Sequence, residues 1–385
     1  YREHAIEIKT EEGYTTLEFG YVSHNIYKGK PGLEGLPATF AGEDECTTLE
    51  LVTADKLVGL EITLVYSVFE DVDIITRSVR VKNIGDKLIR LNKVLSASLD
   101  VHNNDFEVIT LHGSWGRERG IQRRPIGHGR QGVASERGVS GHQDHPFIAL
   151  VTNTTTQTQG EVYAMHLVYS GNFEAQCELT QHNDVRMTAG ISPYNFEWHL
   201  GSNDTFTSPE AVMVFSDAGL GGMTRNLHDL YRNHLIRGKY AKTKRPILIN
   251  NWEATYFDFD TDKLLAIARQ AAEVGIEMLV VDDGWFGNRF DDNRALGDWV
   301  VNEEKIKGGL KYLVDEVNKL GMKFGMWFEP EMISPDSDIY RAHPDWAIEV
   351  PGRDPVRCRN QLVADITRKE VRDYIYGSIA KVLRS

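Results

Sequence analysis

The sequence is short of cysteine, of positive charge and of long apolar runs, and each shortage excludes something. Three cysteines in 385 residues (Cys46, Cys177 and Cys358) lie far apart with no CxxC pair. Neither a disulfide framework nor a structural zinc site is expected, and reduced thiols in a cytoplasmic protein are the simplest reading. Lysine and arginine number 43 against 56 acidic residues, a formal charge of −13. So acidic a chain repels phosphate backbones and anionic lipid, which argues against nucleic acid and polybasic membrane anchoring as partners. The longest aliphatic runs, such as Met278 to Val281, fall far short of the ~20 residues a membrane helix needs. No repeat of fixed length and no low-complexity tract is present. Phosphate loops are missing too: no GxxxxGK[ST], and no GxGxxG between a strand and a helix. The chain opens on Tyr1 rather than Met and stops at Ser385 inside a helical pattern, so it is expected to be a piece of a longer protein.

What is there comes in two halves with different periods. To about Ser216 the period is mostly two. Leu60, Ile62, Leu64, Tyr66 and Val68 alternate with Glu61, Thr63, Val65 and Ser67, as expected of a strand buried on the first set's face. Val79 and Val81 alternate with Arg80 and Lys82, and the apolar runs Phe147 to Thr152 and Val162 to Tyr169 continue the style. Many short strands with polar turns predict a large antiparallel β-sandwich. Near Gly221 the period turns helical, with Met223, Leu227, Leu230, Tyr231, His234 and Leu235 on one face and Gly238 as the expected stop. The basic stretch that follows marks a domain boundary, giving expected domains of 1–238 and 239–385.

Beyond it, strand and helix alternate. Short apolar strands are expected at Ile247 to Ile249, Met278 to Val281 and Phe324 to Phe328. Helices are expected on Leu264 to Ala272, Leu310 to Leu320 and Val371 to Val382, the last behind a capping box at Thr367 to Glu370. Such alternation needs a parallel sheet with right-handed crossovers, and both a doubly wound sheet and a barrel satisfy it.

Chemistry in such folds collects where strands end. The three ends read Asn250-Asn251-Trp252-Glu253, Asp282-Asp283-Gly284-Trp285 and Trp327-Phe328-Glu329-Pro330-Glu331, each combining carboxylates with an indole. That combination suits a sugar, whose hydroxyls take charge-assisted hydrogen bonds while its C–H face lies on an aromatic ring. From residue types alone, Asp282 or Asp283 paired with Glu329 would be the catalytic carboxylates, and Trp285 serves equally as packing or contact.

The stretches Arg245 to Tyr256, Leu279 to Gly287 and Lys323 to Pro335 resemble the first three barrel strands of glycoside hydrolase family 36, the bacterial α-galactosidases. Tyr21 to His24, Gly35 to Thr39 and Ser140 to Phe147 resemble its sandwich domain. The resemblance implies an N-terminal β-supersandwich followed by a (β/α)8 barrel and a small C-terminal β-domain. It also implies a multidomain β plus α/β chain that here stops after three βα units. The implied activity is hydrolysis of terminal α-1,6-linked galactose from melibiose or raffinose, retaining configuration and using no metal or other cofactor. Retention requires two carboxyl groups about 5 Å apart. In the family these are an Asp in a Lys-Trp-Asp motif on strand four and an Asp on strand six, so both are expected beyond Ser385 and no catalytic residue within the chain.

By position, the resemblance assigns Asp282 and Asp283 to the galactose hydroxyls, above all axial O4, Trp252 and Trp327 to the walls around the ring, and Arg359 to a further substrate contact. It implies a homo-oligomer, a tetramer, for the full-length protein. Galactosyl transfer, α-N-acetylgalactosaminidase activity and a non-catalytic galactose-binding or structural module are the alternatives. The His142-Gln143-Asp144-His145 run has metal-ligand spacing but is expected to be a hydrogen-bonded loop.

Overall fold

The computed structural model describes residues 3–385 and divides into two compact units, 1–243 and 244–385. In the first unit a five-stranded sheet has the order Ile6–Thr10, Ile89–Val101, Val185–Ile191, Phe173–Leu179, with Trp198–Leu200 also on Ile89–Val101. A ten-stranded sheet runs from Gly20–Lys28 at one edge through Thr47–Asp55, Leu60–Phe69, Ile74–Asn83, Glu210–Ser216, Val162–Val168, Asp144–Thr152 and Phe106–Ser114 to Arg117–Pro125 at the other. Thr205–Thr207 pairs with Ile74–Asn83 off this path. The pairings are antiparallel.

The apolar runs that do not alternate have a physical explanation. Ile148 and Leu150 point into the core between the sheets with Phe173, Cys177 and Met187, whereas Phe147, Ala149 and Val151 point the other way. There they meet Met223, Leu227 and Leu230 of the helix Gly219–His234. The larger sheet is therefore covered on both faces at its centre, and such a strand must be apolar at every position. The same geometry corrects the reading of Leu60–Phe69. Leu60 and Ile62 face the sandwich core as expected, but farther along Val65, Ser67 and Phe69 are buried and Val68 is exposed. The strand passes out from under one layer and in under the next, so its buried face switches. The helix also ends before its expected stop: Leu235 is its C-cap and donates to the Tyr231 carbonyl, leaving Gly238 beyond.

In the second unit Leu248–Asn250, Met278–Val281 and Lys323–Met326 form a parallel sheet in sequence order, with Asn250 opposite Val280 and Val281 opposite Met326. The helices Thr261–Glu273 and Gly309–Lys319 connect them. The Asp260 carboxylate caps the first by accepting from the Lys263 amide, and Gly275 (φ 84°) supplies the left-handed turn after it. Leu264, Leu265, Ala268, Leu313 and Val317 close over Leu279 and Val281 in one core. The expected capping box at Thr367 does not form. Thr367 Oγ1 donates to Asp365, and helix Lys369–Arg384 starts after Arg368 without a side-chain cap. No helix among the described residues is long and apolar enough to cross a membrane.

Phe173 is fully buried between the sheets. Replacing it by alanine should lower unfolding stability by about 3–5 kcal/mol, read as a fall in the urea midpoint at unchanged slope.

Candidate functional site

The three parallel strands end on the same side, and the residues just past those ends hydrogen-bond to one another. Asn251 is fully buried; its Oδ1 accepts from the Asp282 amide at 2.8 Å and its Nδ2 donates to Thr255 Oγ1 at 2.9 Å. Asn250 Nδ2 donates to Asp282 Oδ2 at 2.6 Å, while its Oδ1 accepts from the Trp252 amide at 2.7 Å. The two asparagines thus fix the start of the short helix Trp252–Thr255 against the second strand end. The Trp252 ring stands edge-on to Tyr256 and Phe257, with centroids 5.2 and 5.0 Å away. Tyr256 holds φ 45° and ψ −127°, a conformation that stores on the order of 1–3 kcal/mol in a non-glycine residue.

The paired aspartates differ. Asp282 is half-buried, and its Oδ1 accepts from the Asp283 amide at 2.8 Å. Asp283 is 3% exposed and turned inward, where Arg289, with no exposed surface, grips it twice: Nε to Oδ1 at 2.9 Å and Nη2 to Oδ2 at 2.7 Å. The guanidinium also donates from Nη1 to the Arg294 carbonyl at 2.9 Å. Of the two carboxylates, Asp282 is the one that reaches the surface.

Trp285 is fully buried and donates from Nε1 to the Trp327 carbonyl at 2.9 Å, so it packs and ties the second strand end to the third. Trp327 is half-buried, its ring near parallel to Phe286 at 6.4 Å and edge-on to Trp299. Glu329 Oε2 is buried with no hydrogen-bond partner among the described residues. Burial first, then the charges of Glu331 and Asp283, pushes its pKa up, and the Arg359 guanidinium opposes the shift. Arg359 is exposed. It and Asn360 hold consecutive left-handed φ values of 51° and 60°, and Asn360 Nδ2 donates to Asn293 Oδ1 at 2.8 Å, fastening this segment to the loop after the second strand.

Two cations were not singled out from sequence. Arg289 lies six residues past Asp283 in the mixed run Asn288-Arg289-Phe290-Asp291, and Lys305 follows Glu303-Glu304, a pattern that reads as solvated surface. Yet Lys305 is only 5% exposed. Its ammonium donates to the Phe257 carbonyl at 2.8 Å and the Arg289 carbonyl at 3.3 Å. Burial lowers its pKa to about 8 against the pull of Asp283 and Asp258. No cluster of metal-ligating side chains occurs among the described residues. His112 Nδ1 pairs with Asp144 at 2.7 Å.

The glycosyl hydrolase family 36 N-terminal domain matches residues 1–201, and the melibiase domain matches residues 205–385. The chain belongs to glycosyl hydrolase family 36. Alpha-galactosidase AgaA of Geobacillus stearothermophilus is 51% identical over all of this chain and 53% of its own length. The bifunctional alpha-galactosidase/sucrose kinase AgaSK of Mediterraneibacter gnavus is 47% identical over all of this chain and 41% of its own. A crystal structure of a doubly substituted variant of the Geobacillus stearothermophilus AgaA in complex with raffinose superposes with a TM-score of 0.98 at 51% identity, covering all of this chain and 54% of that one. The chain spans about half the length of the relatives it matches. At that similarity the fold of the chain is the family's, a β-supersandwich followed by the first three βα units of a (β/α)8 barrel, and the parallel sheet, which fitted a doubly wound fold or a barrel equally, is part of that barrel.

Removing the guanidinium leaves the Asp283 carboxylate buried and unpaired. Arg289→Met should lower stability by about 3–5 kcal/mol, and Asp283→Asn/Arg289→Met should recover part of it, both measured by denaturant unfolding. Wild-type stability in Arg289→Met would show that Asp283 does not depend on this partner.

Proposed function

We propose that this chain carries the galactosyl-recognition part of a retaining α-galactosidase that acts on terminal α-1,6-linked galactose in melibiose- and raffinose-type galactosides. The observation that carries the reading is the half-exposed Asp282 carboxylate, held by Asn250 and Asn251 between the Trp252 and Trp327 strand ends. An ionised carboxylate accepts hydrogen bonds only, so it suits adjacent sugar hydroxyls, and each oxygen has a second lone pair after its bond within the protein. Asp283 contributes from beneath: its pair with Arg289 fixes the backbone that presents Asp282. Trp252 and Trp327 provide apolar walls for the sugar's C–H face, and Arg359, whose charge acts on Glu329 beyond the third strand end, provides a further contact. The name of the AgaA complex, with raffinose, supports this substrate class.

Hydrolysis with retention takes a nucleophile and an acid/base about 5 Å apart. The family places them on strands four and six, and these 385 residues contain strands one to three, so the chain supplies binding and orientation rather than bond cleavage. Residence in the cytoplasm fits the three free cysteines. Tetramer assembly fits the open edge Gly20–Lys28, where Tyr21, Val22 and Ile26 are exposed.

Calorimetric titration of the 385-residue chain should show galactose binding, at least tenfold weaker binding of glucose, and loss of about tenfold or more in Asp282→Ala, since a hydrogen bond to a charged group contributes roughly 1.5–3 kcal/mol. The same chain should release no p-nitrophenol from p-nitrophenyl α-galactoside. Equal affinity for the two epimers, or turnover by this chain, would overturn the proposal.

A further inference from the structure

Behind the two aspartates lies a brace built from Asn302 to Lys305. The Asn302 amide donates to the Trp285 carbonyl at 2.9 Å and its side chain to the Gly287 carbonyl at 2.7 Å, while Asn302 Oδ1 accepts from the Lys305 amide at 3.1 Å. The Lys305 carbonyl in turn accepts from the Thr261 amide at 3.0 Å, at the start of the first connecting helix. The ammonium at the tip of this brace reaches two strand-end loops at once, through the carbonyl of Phe257 after the first strand and that of Arg289 after the second. Three phenylalanine rings surround it, with centroids 4.6 Å (Phe259), 4.9 Å (Phe290) and 6.0 Å (Phe257) away.

The backbone next to Asp283 is shaped for this ammonium. Gly284 holds φ +101°, and a Cβ there would lie 3.3 Å from Lys305 Nζ and 3.0 Å from the Phe257 ring. The chain between the aspartates and Trp285 therefore rests against Lys305. A methylene stem ending in a methyl group would fill the same space, but it would leave two carbonyls without this donor and remove the positive charge that faces Asp283 and Asp258. Rings around a desolvated ammonium stabilise its charged form.

We propose that Lys305 is a positioning residue of the sugar pocket: its ammonium locks the Asn250–Asp258 loop to the Asp283–Phe290 loop and so sets Asp282 against Trp252. That the pocket takes galactose rests on the function proposed above; the locking of the two loops does not. The charges that act on the ammonium are Asp283 from the second loop and Asp258 from the first; the Arg289 guanidinium lies over the Phe257 ring, and the Thr261 helix start brings only an amide and a hydroxyl to the Lys305 carbonyl. Because burial lowers the amine's pKa to about 8, the charge is lost just above neutral pH. Above pH 8 the folded chain has shed a proton that the unfolded chain keeps to about 10.4, so this group makes stability rise with pH across that window.

The test compares wild type, Lys305→Met and Lys305→Arg, all as the 385-residue chain. Hydrogen exchange should be at least fivefold faster in both loops of Lys305→Met and unchanged in the sandwich unit. Galactose affinity should fall about tenfold in Lys305→Met at pH 7. In wild type it should decline with a midpoint near pH 8, and in Lys305→Arg, which keeps its charge, that decline should vanish. Unaltered exchange in either loop overturns the proposal, as does wild-type affinity in Lys305→Met or an alkaline decline that persists in Lys305→Arg. Should Lys305→Met not fold, the wild-type and Lys305→Arg pH series decide by themselves. Failure of wild type to bind galactose at any pH would refute the galactoside reading, and the exchange data would then judge the brace alone.

Discussion

The strand-end region depends on the ion pair between Asp283 and Arg289. Two full charges out of water are tolerable only when each satisfies the other and the remaining donors find acceptors. Both carboxylate oxygens are engaged, and Arg289 passes a further N–H to the Arg294 carbonyl. Meeting those demands fixes the backbone from Asp282 to Arg294 and leaves Asp282 to face outward. A buried, doubly hydrogen-bonded pair holds the neighbouring backbone in one geometry, so Asp282 is pre-positioned rather than free to swing.

The surrounding polar contacts extend that rigidity across three strand ends. Asn251 joins the first to the second by its side chain, Trp285 joins the second to the third by its indole N–H, and Lys305 ties the first to the second again from behind. None of these bonds is a ladder bond of the sheet. A parallel sheet holds strands in register, but only side chains just past its edge can orient the loops that carry chemistry. Tyr256 and the paired left-handed residues Arg359 and Asn360 hold backbone conformations that non-glycine residues seldom adopt, and Asn360 is fastened to Asn293 in the loop after the second strand.

In the sandwich unit the principle is different. The run from Phe147 to Val151 at the centre of the larger sheet is apolar throughout because a second sheet covers one face and the helix Gly219–His234 the other. The strand Leu60–Phe69 crosses from one layer to the next, so its buried set changes parity midway. Alternation over a few residues could reveal the strand but not that crossover, since the covering elements lie far away in sequence. The Thr367 segment is similar: its side chain had a nearer acceptor in Asp365 and left the helix start uncapped.

By itself the sequence determined the change from period two to strand–helix alternation, the three strand-end clusters of carboxylate and indole, and, through those motifs, the family. These are local properties, set by side-chain periodicity and by which residues follow an apolar run. Only the tertiary structure decided which of two neighbouring aspartates is open and which is locked, that Trp285 packs, and that Arg289 and Lys305 are buried. Adjacent residues past a strand end point in different directions, and an inward carboxylate takes whichever cation the loop folds back to it. Nothing in the spacing of Arg289 or Lys305 marks that return, because it is governed by loop geometry and by the aromatic rings that close around the two charges.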